Sequence, residues 1–156
     1  PRASPFSSPR CWRVAAGNFE MATQYQTAFE PSAAISQLPA ICFKLARFTA
    51  LIGVSMGVYM GVLEDHTLAP VHVHLNLIGW VSLFLFGLFY KLHPEAVGKA
   101  AIAQVALSGA GYIIMLSGLA GLLLTSNSVF LPLAIVGSLL VWLGFAFFFG
   151  IVARTA

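Results

Sequence analysis

Charge is what this sequence most lacks. Only 8% of its 156 residues are Asp, Glu, Lys or Arg, against about 25% in an ordinary soluble domain. The chain is 59% hydrophobic, with a mean hydropathy of +0.89. Its few polar side chains are not enough to cover a water-facing surface, which excludes a soluble globular domain. Eight Lys and Arg against five Asp and Glu leave a net charge of +3. They form no basic stripe, so a nucleic-acid-binding surface is excluded as well. Two cysteines, Cys11 and Cys42, make neither a disulfide framework nor a short-spaced metal pair. No nucleophile–base pair, phosphate loop or zinc-hydrolase signature occurs either. A small, single-domain integral membrane protein remains.

Long apolar runs are what the sequence does have. The first forty residues hold five of the eight prolines, several serines and no such run, so residues 1–40 read as a disordered segment. The first methionine is Met21, and residues 1–20 read as upstream, non-native sequence. A transit peptide is the alternative, because Arg2, Arg10 and Arg13 all precede the first acid, Glu20. From residue 41 to 156, four runs predict helices at about 43–63, 70–91, 99–124 and 129–153. Each is long enough to cross ~30 Å of hydrocarbon, which takes about 20 residues. In lipid the backbone must satisfy its own hydrogen bonds, so each run is a helix.

The punctuation between runs fits that division. Glu64–Pro70 is polar and ends in a proline suited to a first helical turn, as is Pro132 in the fourth run. Lys91–Glu95 and Thr125–Ser128 separate the later runs. Short connections predict an all-α, up-down four-helix bundle. Lys44, Arg47, Lys91, Lys99 and Arg154 fall on one side of that bundle and none on the other. The positive-inside rule then places both termini in the cytoplasm and the first and third loops outside. Gly53, Gly57 and Gly61 recur every four residues on the first helix. This small-residue face lets a second backbone approach, from the same chain or from a second copy in a homo-oligomer. Tyr90 fits an interfacial aromatic belt, and Ser108, Tyr112 and Ser117 read as hydrogen-bonding groups between helices.

Ionisable groups at membrane depth are costly and mark candidate sites. His72 and His74 lie in the first turns of the second helix, with Glu64, Asp65 and His66 just before them. Two helical positions apart is about 200° around the axis, so the two rings face different ways and do not chelate one ion. His72 shares its face with Asn76 and Gly79, His74 with the apolar Ile78, Val81 and Leu85. A histidine among apolar side chains is the setting an axial haem ligand needs. For a second ligand, Met60 lies three residues from the end of the first helix, at nearly the depth of His74. His66 folding in from the loop, or a histidine from a second copy, are the other choices. Met115 lies nine residues from the end of the third helix, roughly 13 Å down at 1.5 Å per residue, and is expected to be too deep.

The run Asp65-His66-Thr67-Leu68-Ala69-Pro70-Val71-His72-Val73-His74-Leu75-Asn76-Leu77-Ile78-Gly79-Trp80 resembles the start of the second helix in small bacterial membrane proteins described as cytochrome c oxidase subunit I-like. The resemblance implies that His72 or His74 binds a haem b near the outer face of a bacterial inner membrane; depth and helical face make Met60 and Asn76 the residues expected beside it. It also implies a role in electron transfer, sensing or oxidase support, with respiratory-chain proteins as partners. The later helices carry no histidine, so an oxygen-reducing enzyme is not expected of this chain alone. A copper or zinc site built from His66, His72 and His74, with Glu64, Asp65 and Met60 nearby, is the alternative. A purely structural subunit is the plainest one.

Overall fold

The computed structural model describes residues 37–155, so the expectations for residues 1–36 lie outside the described residues. Four helices follow one another: α1, Leu38–Leu63; α2, Ala69–Leu92; α3, Lys99–Thr125; and α4, Leu131–Thr155, entered through a single 3₁₀ turn at Ser128–Phe130. Each is long and apolar enough to cross a bilayer, and the chain is accordingly a multi-pass membrane protein. There is no strand among the described residues.

The boundaries follow from local chemistry. Helix α1 begins five residues earlier than its apolar run, because Pro39 sits in its first turn, where a missing N–H costs nothing. Its end is set by Glu64, which adopts a left-handed conformation (φ 52°) and turns the chain out of the helix. Ser126 ends α3 in the same way. Asn127 then starts the next turn by accepting a bond from Val129 N through its side-chain carbonyl oxygen, at 3.0 Å.

Helix α2 departs from the regular helix its sequence predicts. Between two α-helical ends, residues Leu75–Ser82 are π-helical. The wider i→i+5 turn shows in the Ser82 hydroxyl, which donates to Leu77 O at 2.8 Å, five residues back. Neighbouring helices grip the bulged stretch. The Thr49 hydroxyl of α1 donates to Gly79 O at 2.6 Å, and the Tyr112 ring of α3 packs against Gly79 from another side.

Glycine contacts set how the helices pair. Along α1, Gly53 and Gly57 meet Asn76 and His72 of α2, while Cys42 meets Gly87, so the register descends on α2 as it rises on α1. A Cβ at Gly53 would stand 2.5 Å from the Asn76 amide oxygen, and one at Gly57 would stand 2.8 Å from His72 Cε1. Most of the glycine stripe therefore packs within the chain, and of its three members only Gly61 has open space beside it. Helices α3 and α4 make the other close pair. Gly111 and Gly118 lie against the backbone of Val141 and Ala134, and Gly137 and Gly144 lie against Met115 and Ser108. A buried cluster of Leu38, Cys42, Leu83, Phe86, Tyr90 and Val105 joins α1, α2 and α3 at the end that carries Lys44, Lys91 and Lys99.

Tyr90 corrects the expectation of an interfacial ring. It is 1% exposed, and its hydroxyl donates to Gln104 Oε1 of α3 at 2.9 Å, while Gln104 Nε2 donates to Ser108 Oγ at 3.1 Å. Burial decides this: the phenol is enclosed by three helices, and the lone amide of α3 supplies its partner. None of the three groups expected to bond between helices does so: Ser108 Oγ accepts from Gln104 of its own helix, the buried Tyr112 hydroxyl has no partner among the described residues, and Ser117 donates to Ile113 O of its own turn at 2.9 Å.

Candidate functional site

The two histidines of α2 have different surroundings. His72 points at α1, and its Nδ1 lies 3.0 Å from Gly53 O. A carbonyl can only accept, so this nitrogen carries the proton. Gly57 leaves room for the ring edge. Asn76, one turn on, donates its amide to His72 O at 2.9 Å. Its nitrogen is 3.4 and 3.5 Å from the two ring nitrogens, so it lies beside the ring without a good bond to it. His72 and Asn76 together fill the space that the α1 glycines leave, as interhelical polar packing does.

His74 turns the other way. Its Nδ1 donates to Pro70 O at 2.7 Å, within its own first turn. In the neutral ring Nε2 is then the lone-pair nitrogen, the form that ligates a metal. The ring lines a lateral groove of about 720 Å³ between α2, α3 and α4. Ile78 and Met115 form its inner wall; Val141, Trp142 and Phe145 form the α4 side. Ser138, Ala146 and Phe149 complete the lining. Ser138 carries the one hydroxyl there, and it donates to Ala134 O of its own helix at 2.7 Å. The groove is therefore mainly apolar, with His74, Ser138 and the Trp142 indole as its polar members, and its volume lies in the range of small-molecule and cofactor sites, about 300–1,000 Å³.

Met115 is a correction. It shares the groove with His74, against the expectation that it lies too deep. That expectation measured depth from the helix ends, and the ends are not level. Gly79 and Tyr112 are in contact and give a common reference. Helix α3 runs thirteen residues beyond Tyr112 to Thr125, while α2 reaches back ten from Gly79 to Ala69. At ~1.5 Å per residue, α3 projects about 5 Å further. Met60, the expected partner, is buried on α1 and is not among the residues lining this groove.

The other expected ligands stay apart. His66 is exposed in the α1–α2 loop. Asp65 is engaged there by Thr67, whose hydroxyl donates to its carboxylate at 2.7 Å and whose amide donates at 2.9 Å. These bonds hold the Asp65 carboxyl below the usual carboxylate range. At the opposite end, the backbone amide of Glu95 and the His93 ring, 3.1 Å away, lower the Glu95 carboxyl likewise. Among the described residues, no three His, Cys, Asp or Glu side chains gather as a metal ion would need. Gln104 and the π-helical turn were not singled out from sequence. The first had a signal, a lone amide in a twenty-five-residue uncharged run. The second had none.

Comparison of the chain with models of known protein families, with curated proteins and with solved structures finds no match to any of them.

Proposed function

We propose that this chain is a haem-b-binding membrane protein whose haem lies in the lateral groove, with His74 Nε2 as its axial ligand. In this reading the bundle is up-down in a bacterial inner membrane, with both ends of the helical domain on the cytoplasmic side, where Lys44, Arg47, Lys91, Lys99 and Arg154 collect. His74 then stands near the outer face. One observation carries the proposal: a histidine tied by Nδ1 to Pro70 O lines an apolar groove large enough for a cofactor.

The donor set and the walls fit the group. One imidazole nitrogen suits iron. Ile78, Val141, Trp142 and Phe145 offer the apolar faces a porphyrin packs against. The bound haem would supply one-electron redox chemistry. The protein's part is to orient the imidazole, through Pro70 O, and to keep water from the groove. Electron transfer to or from respiratory-chain proteins at the outer face is the role this arrangement serves. His72, packed against glycine, has the structural part.

The test is haem stoichiometry. Protein purified in mild detergent from cells supplied with haem precursor is expected to carry one b-type haem per chain, with a Soret band that sharpens on reduction. A colourless protein under those conditions overturns the proposal. Stoichiometric copper or zinc in that colourless protein would point to the metal site considered from sequence, and an empty one to a structural subunit.

A further inference from the structure

Basic side chains mark the inner ends of the helices, and one of them is out of place. Contacts between helices put all four on a common scale: Cys42 meets Gly87, Gly57 meets His72, Gly79 meets Tyr112, and Gly137 meets Met115. On that scale Lys91, Lys99 and Arg154 lie within about two residues of one level, as basic groups at an inner membrane face do. Arg47 does not. Thr49, two residues further along α1, bonds Gly79 O, so Arg47 stands level with Val81 and Ser82, nine or ten residues outward of Lys91. At ~1.5 Å per residue that is about 14 Å into the span, further than a stem of three methylenes reaches back. Lys44 stands three residues nearer that face, on a longer stem.

We infer that the outward side of α1 docks a transmembrane helix of another protein, one that carries an Asp or Glu at the level of Arg47. Charged side chains at membrane depth face a bundle interior and pair there. Arg47 is instead exposed, with no acidic partner among the described residues. The bundle that encloses it is therefore larger than this chain. Helix α1 packs chiefly on α2, which leaves its far side open. Leu51, Val54 and Val58 continue the Arg47 face at helical spacing, and each is more than half exposed. Beside them Leu51, Ser55 and Tyr59 line a shallow groove, where the two hydroxyls add polar groups for a partner helix. A second copy of this chain does not meet the need. Its four spans contain no Asp or Glu, so a symmetric pair along this side would set Arg47 against Arg47. A carboxylate on a different protein turns the exposed charge into a charge-assisted pair. The inference goes beyond the haem reading and does not depend on it.

The test uses the full-length protein in phosphatidylcholine vesicles with a synthetic Leu/Ala helix of about 20 residues, bearing one glutamate at the matching depth. Energy transfer between labelled protein and peptide reads association. The wild type is expected to bind this peptide about tenfold more tightly than an all-apolar one, the size of a polar contact between model membrane helices. Arg47→Leu should lose the preference. Arg47→Glu should prefer a peptide with lysine in place of the glutamate, and that reversal also shows the variant to be folded. Equal binding of the glutamate and apolar peptides, or a preference that survives in Arg47→Leu, overturns the inference. Self-association of the wild type that disappears in Arg47→Leu overturns it too, in favour of a second copy. So does a wild type that ignores the peptide but gathers phosphatidylglycerol from mixed vesicles where Arg47→Leu does not, since the side chain then serves a lipid headgroup.

Discussion

The two sides of helix α2 near its start make an instructive pair. On one, His72 and Asn76 are pressed into the hollow left by Gly53 and Gly57, with His72 Nδ1 bonded to Gly53 O of α1 and the Asn76 amide to His72 O. On the other, His74 faces a groove that α3 and α4 leave open between Ile78, Met115, Val141 and Trp142. The two histidines are two residues apart and chemically identical. What separates them is the size of the side chains opposite: glycine brings the backbone of α1 close enough to enclose one ring, whereas the walls facing the other are bulky and stand back. A histidine enclosed by backbone acts as packing, and one facing an empty apolar space is free to ligate. Polar residues in membranes are functional by default, and here the opposing surface decides which of two deserves that default.

Filling the groove should break the contrast most completely. Ala146→Trp places a bulky ring among the lining residues from the exposed side of α4. It is expected to remove nearly all bound haem while leaving thermal unfolding in detergent unchanged. Retained haem would mean that the groove is not the binding place.

The packed side gives the next effect. Gly57→Leu drives carbon into the His72 ring, and overpacking of this kind typically costs about 1–3 kcal/mol, read as a lower unfolding midpoint. Gly61→Leu, in open space on the same stripe, should change that midpoint little. Equal effects at both positions would remove the argument that the α1 glycines serve α2.

A smaller change is expected at Thr49→Val, which loses the bond to Gly79 O. Hydrogen bonds between membrane helices average about 0.6 kcal/mol, so a shift of that order is expected in the same assay. Amide exchange across Leu75–Ser82 should rise as the π-helical turn loses its external partner.

The smallest concerns the loop. The Thr67 bonds lower the Asp65 carboxyl in the folded protein, so their stabilisation is present above the ordinary carboxylate pKa. It is lost as pH falls through the lowered folded value. An NMR titration of Asp65 should show a midpoint below the ordinary one, and Thr67→Ala should move it back up.

The four spans were legible because a run of about 20 uncharged apolar residues has one stable form in a bilayer. That His72 and His74 face apart was equally legible, since helical geometry alone requires it. The groove was not, because it is made by α2, α3 and α4 together and no single stretch contains it. Nor was the π-helical turn: Leu75–Ser82 reads as helix in either register, and its bulge is held by Thr49 and Tyr112 from two other helices. Met115 was misjudged for a related reason, as depth counted along one helix says nothing about how far that helix projects beyond its neighbours. Tyr90 was misjudged because position near a helix end does not reveal that α3 covers it with Gln104.

The most direct measurement is the reduced-minus-oxidised absorption spectrum of the purified protein beside His74→Ala and His72→Ala. The account predicts a b-type spectrum in the wild type, its loss in His74→Ala, and its retention in a less stable His72→Ala. Loss in His72→Ala with retention in His74→Ala would contradict it, and would move the ligand to the side of the helix that glycine encloses.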